Sequence, residues 1–127
     1  MRGPGPKFFE PEHFKLEIFI PEAHLRALQA ALWEVDAGHI GSYDRCLSYS
    51  PVTGVWRAPE GSSPYIGRPG EASEEPELKV EVTVRGERLG ETLEAVRGAH
   101  PYEEPVINVI PLYGTGLRPA GQDRPRR

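Results

Sequence analysis

Two stretches of the chain alternate apolar with polar residues, which is the pattern of half-buried β-strands. Phe14 to Ile20 follows this pattern, and Leu78 to Val84 repeats it further along the chain. After each stretch, apolar residues recur at three- and four-residue spacing, which predicts an amphipathic helix in both places. Pro21 opens the first of these helices. Their apolar faces comprise Leu25, Leu28, Leu32 and Val35 in the first helix, and Leu89, Leu93 and Val96 in the second.

The remaining segments complete the predicted order of elements. Gly38 is placed to cap the C-terminus of the first helix. Tyr43 to Tyr49 is predicted to be a second strand, and Val106 to Leu112 the last one. Pro51 to Glu77 is rich in glycine, proline and serine, which predicts a long hairpin arm with an extended tip.

A weak internal repeat indicates how these elements fold together. The two β-α-β halves predict an α+β, ferredoxin-like β-α-β-β-α-β sandwich, in which one antiparallel sheet carries two helices on one face and an extended arm joins the second and third strands. The other face of the sheet keeps Phe19 and further partly apolar positions, so oligomerisation through that face is a hypothesis. The aligned positions are residues 14–18 with 78–82, Leu25 with Leu89, Ala31 with Ala95 and, after a three-residue deletion, His39 with His100.

Length and composition favour one cytoplasmic domain. The chain has 127 residues, enough for a single core. No apolar run approaches the roughly 20 residues of a membrane span, and the first residues lack the apolar segment of a secretion signal. The single cysteine, Cys46, excludes an internal disulfide and fits a reducing compartment. We expect a folded domain over residues 13–113, a flexible segment over 1–12 and a flexible basic tail over 114–127.

The charge is unevenly divided along the chain. The net charge is −4, and the tail holds four arginines and one aspartate, a net charge of +3, which leaves −7 on residues 1–113. A folded body of this charge argues against nucleic-acid binding. The tail could contact an anionic partner, but a solvated tail is the favoured interpretation.

One short segment concentrates the polar chemistry of the chain. His100-Pro101-Tyr102-Glu103-Glu104-Pro105, hereafter the corner, lies between the second helix and the last strand. Its prolines restrict the backbone on both sides, so the corner is stiff. It offers an imidazole, a phenol and two carboxylates, which suits either a binding site or a joint that defines the fold.

Three segments together resemble the motifs of one protein family. Gly38 to Cys46 reads G-H-I-G-S-Y-D-R-C, Glu60 to Gly67 reads E-G-S-S-P-Y-I-G, and the corner reads H-P-Y-E-E-P. In this order they resemble the domain inserted in YqfO-type proteins of the Nif-three-like family, over roughly residues 13–113. That domain is similar in fold to CutA-type divalent-cation tolerance proteins and to PII-type signalling proteins, which are trimers.

The resemblance implies a non-enzymatic, oligomeric module that binds a small ligand or regulates a partner. The full-length family holds a two-metal site in the domains that flank this insert, and those ligands are absent from this sequence. We therefore expect no hydrolase activity from the chain. The resemblance also places the corner near a subunit interface.

In PII-like trimers effectors bind in clefts between subunits, which implies a set of ligand-binding candidates here. The loops around Gly38 and Ser62 also offer backbone N–H groups to an anion. The alternative is that Arg57 and Tyr65 only anchor a subunit interface, and that Trp33 and Trp56 only pack. The candidates are His39, Tyr43, Arg45, Arg57, Tyr65, His100, Tyr102, Glu103 and Glu104.

A divalent copper or zinc site of the CutA type is the alternative function. His39, Cys46, His100 and Glu103 supply imidazole, thiolate and carboxylate ligands. Because His39 and His100 align in the repeat, we expect them at one end of the sheet. The competing interpretation is that each histidine caps a helix C-terminus, and that Cys46 is a core residue within a strand. No nucleophile or phosphate-binding motif accompanies His100 and Glu103, which disfavours an acid–base enzyme.

Overall fold

The computed structural model describes residues 10–116. Within this range the chain forms β1 (His13–Ile20), α1 (Leu25–Glu34), β2 (Ser48–Arg57), β3 (Ala72–Arg85), α2 (Leu89–Ala99) and β4 (Ile107–Leu112). A short 3-10 turn precedes each helix, over Glu22–His24 and Gly86–Arg88. The flexibility predicted for residues 1–9 and 117–127 concerns positions outside the described range.

The strands form one antiparallel sheet in the order β2-β3-β1-β4. The two strands of the repeat are its central pair, with Leu16 of β1 opposite Val82 of β3 and Ile18 opposite Val80. The predicted ferredoxin-like α+β sandwich is therefore confirmed.

The core lies between the sheet and the two helices. Because side chains alternate along a strand, every second residue of β1 and β3 points towards the helices. Leu16 and Ile18 are fully buried there, together with Leu28 and Leu32 of α1 and Val96 of α2. Burial of each such side chain contributes roughly 1.5–3 kcal/mol, so this layer is the main source of stability.

The opposite face of the sheet, hereafter the open face, has a charged centre. The Nζ atom of Lys15 lies 2.7 Å from the Glu81 carboxylate, and the Nζ atom of Lys79 lies 3.2 Å from the Glu17 carboxylate. These partly exposed pairs contribute little stability individually. Phe19, at the end of β1, is a half-buried apolar residue on the same face.

The first helix ends differently from the prediction. Asp36, not Gly38, adopts the left-handed conformation that terminates α1, with φ 56°. The Asp36 N–H donates to the Trp33 carbonyl and the Ala37 N–H to the Leu32 carbonyl, which is the hydrogen-bond pattern of a Schellman motif. Gly38 also has a positive φ, 81°, but its role is to let the backbone of Cys46 approach closely.

The predicted second strand, Tyr43 to Tyr49, is only partly correct. β2 begins at Ser48, and Tyr43 forms only an isolated bridge with Ile40. Arg45 has φ 59°, which is incompatible with an extended strand. Cys46 therefore lies in a loop and is half-buried, so its predicted place within a strand is wrong.

The predicted hairpin arm is confirmed, but its tip is not extended. β1 pairs with β3 only as far as Leu78, whereas β2 and β3 pair onwards from Val52 opposite Glu77 to Arg57 opposite Ala72. This projecting ladder, residues 52–57 and 72–77, is the arm. Its tip, residues 58–71, folds back onto the corner, where the Ser63 N–H donates to the Glu103 carboxylate at 2.9 Å.

Candidate functional site

A cleft of about 560 Å³ lies between the arm and the corner, at the end of the sheet where β1 stops. Strand alternation places Trp56 and Glu77, from the two strands of the arm, on the open face. The tip closes the cleft from one side and the corner closes it from the other. Its aromatic lining residues are Phe19, Trp56, Tyr65 and Tyr102, and its acidic ones are Glu77, Glu103 and Glu104.

His100 fixes the corner to the sheet. Its Nε2–H donates to the carbonyl oxygen of Phe19 at 2.6 Å, and its Nδ1 accepts the N–H of Tyr102 at 3.2 Å. The side chain is 8% exposed, and burial lowers its pKa, although the Phe19 carbonyl and the Glu77 carboxylate act in the opposite sense. A neutral ring with its proton on Nε2 satisfies both contacts, so this imidazole is a joint of the fold.

Tyr102 is the centre of an aromatic cluster. Its ring centroid lies 5.5 Å from that of Trp56 and 6.1 Å from that of Tyr65, and 4.9 Å from that of His100. Burial, with the nearby Glu77 carboxylate, raises the pKa of the phenol well above its ordinary value. The hydroxyl is buried, yet among residues 10–116 no group forms a hydrogen bond of ordinary geometry with it.

Glu77 is the most buried charged side chain of the cleft. It is 7% exposed, it interacts with the Tyr102 hydroxyl, and it forms no ion pair with the described residues. The carboxylate lies against Gly54, the residue two positions beyond its partner Val52 on β2. A Cβ at Gly54 would overlap the carboxylate oxygen, so the absence of a side chain there makes room for Glu77.

Several predicted ligand residues do lie together at this cleft. Arg57, Tyr65 and the three corner residues Tyr102, Glu103 and Glu104 line it. His100 lies directly behind Tyr102 and holds it in place rather than lining the cleft. The Ser63 backbone N–H, predicted to be free for an anion, is instead occupied by Glu103.

The other predicted ligand residues lie at the opposite end of the sheet. The Gly38 N–H donates to Thr83, which pairs with Lys15, whereas His100 is bonded to Phe19. Lys15 and Phe19 are four positions apart on β1, or about 13 Å at about 3.3 Å per residue. The expectation that His39 and His100 converge is therefore wrong. Because β1 and β3 are antiparallel, the helices that follow them end at opposite ends of the strands.

At that opposite end the side chains mainly contact their own loop. His39 Nδ1 lies 3.1 Å from the Asp36 carboxylate, and the Arg45 guanidinium lies 4.7 Å from the Trp33 ring centroid. Tyr43 is 74% exposed. A more open hollow of about 320 Å³ borders Cys46, whose thiol points towards the Asp44 carbonyl at 3.6 Å.

The four predicted metal ligands divide between the two ends. His39 and Cys46 lie at one end, and His100 and Glu103 at the other. In residues 10–116 no group of three or more histidine, cysteine, aspartate or glutamate side chains is arranged to hold a metal ion. Both ring nitrogens of His100 are already engaged. Divalent metal binding stays a prediction without a site in this part of the chain.

Sequence reasoning missed the two residues on which the cleft depends most. The sequence favours packing over ligand contact for Trp56 and indicates no role for Glu77. Gly54 was the available signal, because an isolated glycine within a strand indicates close approach of another group. Its partner could not be named, since the strand register is not visible in the sequence.

Curated relatives match most of this chain. It is 37% identical over 103 residues to a protein of Halalkalibacterium halodurans named GTP cyclohydrolase 1 type 2 homolog, and the match covers 81% of the chain and 28% of that protein. Proteins of the same name from Mycobacterium tuberculosis and Bacillus subtilis are 38% and 31% identical, and 30% of each is covered. The chain thus spans less than a third of the relatives' own length. No protein-family model matches it.

Solved structures agree with this match. A Bacillus cereus protein related to NIF3 superimposes with a TM-score of 0.70 at 30% identity, over 83% of this chain and 27% of that one. The periplasmic divalent cation tolerance protein CutA from Archaeoglobus fulgidus superimposes with a TM-score of 0.61 at 21% identity. The match covers 84% of this chain and 88% of that one. Bacillus subtilis GlnK superimposes with a TM-score of 0.55 at 20% identity, over 79% of this chain and 84% of that one. The chain is therefore NIF3-like and has a CutA/PII-like fold.

Proposed function

We propose that this chain is a small-ligand-binding module of regulatory type, and that the cleft between the arm and the corner is its site. One observation carries the proposal. The cleft combines an aromatic lining with the buried carboxylate of Glu77, which interacts with the Tyr102 hydroxyl but has no positively charged partner in the described residues. Buried polar groups are normally satisfied, and ligand sites are mainly apolar cavities with a few convergent polar groups.

A thermal-shift screen of metabolites, nucleotides and divalent ions tests this proposal. Compounds that bind in the cleft should raise the melting temperature of the native chain and of Trp33→Ala, since Trp33 lies on α1, away from the cleft. The same compounds should lose their effect on Trp56→Ala. A shift that survives in Trp56→Ala places binding elsewhere, and a screen without any shift contradicts the proposal.

We propose further that the chain acts by binding and not by turnover. The cyclohydrolase name belongs to relatives of which this chain covers less than a third. At the cleft, His100 uses both ring nitrogens in structural contacts and the pKa of Tyr102 is raised, so neither group is poised for proton transfer near neutral pH. Incubation with GTP should leave the nucleotide intact by chromatography. Protein-dependent loss of GTP, absent with heat-treated protein, would overturn this.

We propose that the chain forms a homo-oligomer, and a trimer is the arrangement expected from the resemblance. Apolar side chains are accessible at the end of the open face and beside it, including Val106 at 54% exposure and Ile110 at 37%. A second copy lying over this face would adjoin the cleft, which Val106 also borders. Light scattering should give three times the chain mass of 14.1 kDa. A concentration-independent monomer mass contradicts the proposal.

A further inference from the structure

We infer that the cleft selects a small organic cation that carries N–H donors, of the guanidinium or alkylguanidinium class. This inference rests on the proposed function and specifies its ligand. Three features of the cleft point to that chemistry: the sign of its charge, the buried Glu77 carboxylate and the arrangement of its aromatic rings.

The charge of the cleft is negative. Three carboxylates, Glu77, Glu103 and Glu104, line it against one guanidinium, that of Arg57. Arg57 is exposed, and no ion pair joins it to these carboxylates in the described part of the chain. The Glu103 carboxylate also accepts a hydrogen bond from the Ser63 N–H, a donor that an anionic ligand would otherwise use. Anions such as nucleotide phosphates are therefore disfavoured here.

The buried Glu77 carboxylate has no positively charged partner among residues 10–116. Glu77 is 7% exposed, and within residues 10–116 its carboxylate interacts with a neutral hydroxyl, that of Tyr102, and forms no ion pair. Leaving a buried charge unpaired is costly, and a charge-assisted hydrogen bond removes that cost. The Tyr102 hydroxyl beside this carboxylate is buried, and its oxygen can accept a second N–H. A guanidinium presents several N–H donors in one plane and can bond a carboxylate through two of them.

The aromatic rings supply flat faces around these acceptors. Tyr102 lies 5.5 Å from Trp56 and 6.1 Å from Tyr65, and the interplanar angle is 47° in both pairs. The rings are therefore tilted relative to one another, and all three residues line the cleft. A cation within about 6 Å of such a face is attracted to it, and tryptophan is the strongest partner. A planar, delocalised cation can stack on these rings while its N–H groups face Glu77.

Intrinsic fluorescence provides a local reporter of binding. The sequence contains two tryptophans, and Trp56 alone of the two lines the cleft. In Trp33→Phe, the remaining emission reports on Trp56. We would titrate this variant with n-butylguanidinium chloride and, as a neutral probe of the same shape, with n-butylurea. Sodium chloride at equal ionic strength controls for salt.

We expect saturable quenching of Trp56 by n-butylguanidinium, at an affinity at least about tenfold higher than for n-butylurea. Adding Glu77→Gln should weaken guanidinium binding by about tenfold or more and leave the urea unaffected. Glu94→Gln, an exposed position on α2, should change nothing. Gly54→Ala is a second test of the same point, because its new Cβ displaces the Glu77 carboxylate and should weaken binding similarly. Circular dichroism confirms that each variant is folded.

The outcomes separate this inference from the proposed function. Equal affinity for the two probes, or undiminished guanidinium binding in folded Glu77→Gln, overturns the cation assignment. If n-butylguanidinium has no effect but a nucleotide or neutral metabolite quenches Trp56, the cleft is a ligand site and the assignment is wrong. If no compound of the thermal-shift screen or of this pair affects Trp56, both the proposed function and the cation assignment fail.

Discussion

The loop after α1 and the corner after α2 occupy equivalent places in the internal repeat, yet they are ordered by different parts of the chain. In the loop, residues 35–47, hydrogen bonds of the backbone hold the conformation. The Gly38 N–H donates to the Thr83 carbonyl, and the Gly38 carbonyl accepts the Cys46 N–H. In the corner, a side chain holds the conformation, since His100 joins Phe19 to Tyr102. The exposed side chains of the loop are therefore free to vary, whereas those of the corner are constrained.

The two regions also differ in what covers them. The arm projects past β1 at the end of the sheet that holds the corner, and its tip folds back onto Glu103 and Tyr102. Within residues 10–116 no such cover reaches the loop after α1, where Tyr43 is 74% exposed. In the described residues the corner therefore borders a larger cleft than the loop does, about 560 Å³ against about 320 Å³. The arm, which joins the two halves of the repeat, lies over the corner and so decides where a site can form.

The largest expected effect comes from adding a methyl group to the backbone of the loop. Gly38→Ala should lower the free energy of unfolding by about 3 kcal/mol or more, because φ is 81° and the new Cβ would overlap the Cys46 carbonyl oxygen. Gly41→Ala is the matched control: φ is 59°, but nothing lies within 4 Å of its Cβ position, so a loss of about 1 kcal/mol is expected. Urea denaturation at fixed protein concentration measures both. Equal losses would show that the close approach to Cys46 contributes nothing.

Removal of the two aligned imidazoles should have unequal effects. His100→Ala leaves the Phe19 carbonyl and the Tyr102 N–H without their partner in a buried place, so we expect a loss of about 2 to 4 kcal/mol. His39→Ala removes an exposed contact with Asp36, so its loss should stay within about 0.5 kcal/mol. The same denaturation experiment measures both variants. Similar losses for the two histidines would contradict the contrast between the loop and the corner.

Removal of the Tyr102 hydroxyl should stabilise the free protein. Because this buried hydroxyl has no ordinary hydrogen bond in the described residues, Tyr102→Phe relieves a desolvation cost and should raise the free energy of unfolding by about 1 kcal/mol. Tyr43→Phe, at an exposed position, should leave it unchanged. A clear loss of stability in Tyr102→Phe would mean that the hydroxyl is satisfied within the protein.

The smallest expected effect is a pH dependence that belongs to the corner. Burial holds the pKa of His100 below its ordinary value of 6.5, and His24 adds to this, while Glu77 opposes it. Below about pH 6.5 the unfolded chain therefore binds more protons than the folded one, so stability should fall as the pH drops from about 7 towards the folded pKa. Urea denaturation across this range should show a smaller decline for His100→Ala than for the native chain. An identical decline would remove His100 as its cause.

The fold was predictable because its signals are local. Alternation in Phe14 to Ile20 and in Leu78 to Val84, and helical spacing after each, required no knowledge of distant contacts. The errors fell where a single backbone angle decides the structure. Asp36 and Arg45 adopt positive φ, which residues other than glycine rarely do. Asp36 therefore terminates α1 before Gly38, and Arg45 prevents β2 from beginning at Tyr43.

The site was predictable only in part. The corner and Tyr65 were found because their motifs resemble those of a family, and five of the nine proposed ligand residues do line one cleft. Glu77 and Trp56 were missed because neither has a distinctive neighbour in the sequence. Their importance arises from the register that places Val52 opposite Glu77 and Gly54 against its carboxylate.

The sequence by itself determined the elements, the repeat and the relationship to NIF3-like and CutA/PII-like proteins, because hydrophobic periodicity and motifs are properties of neighbouring residues. Only the tertiary structure decided that His39 and His100 lie apart, since β1 and β3 pair antiparallel and the two helices therefore end at opposite ends of the strands. It also decided that Glu77 is buried beside Tyr102, because that burial depends on an arm folding back over a corner that lies more than twenty residues further along the chain.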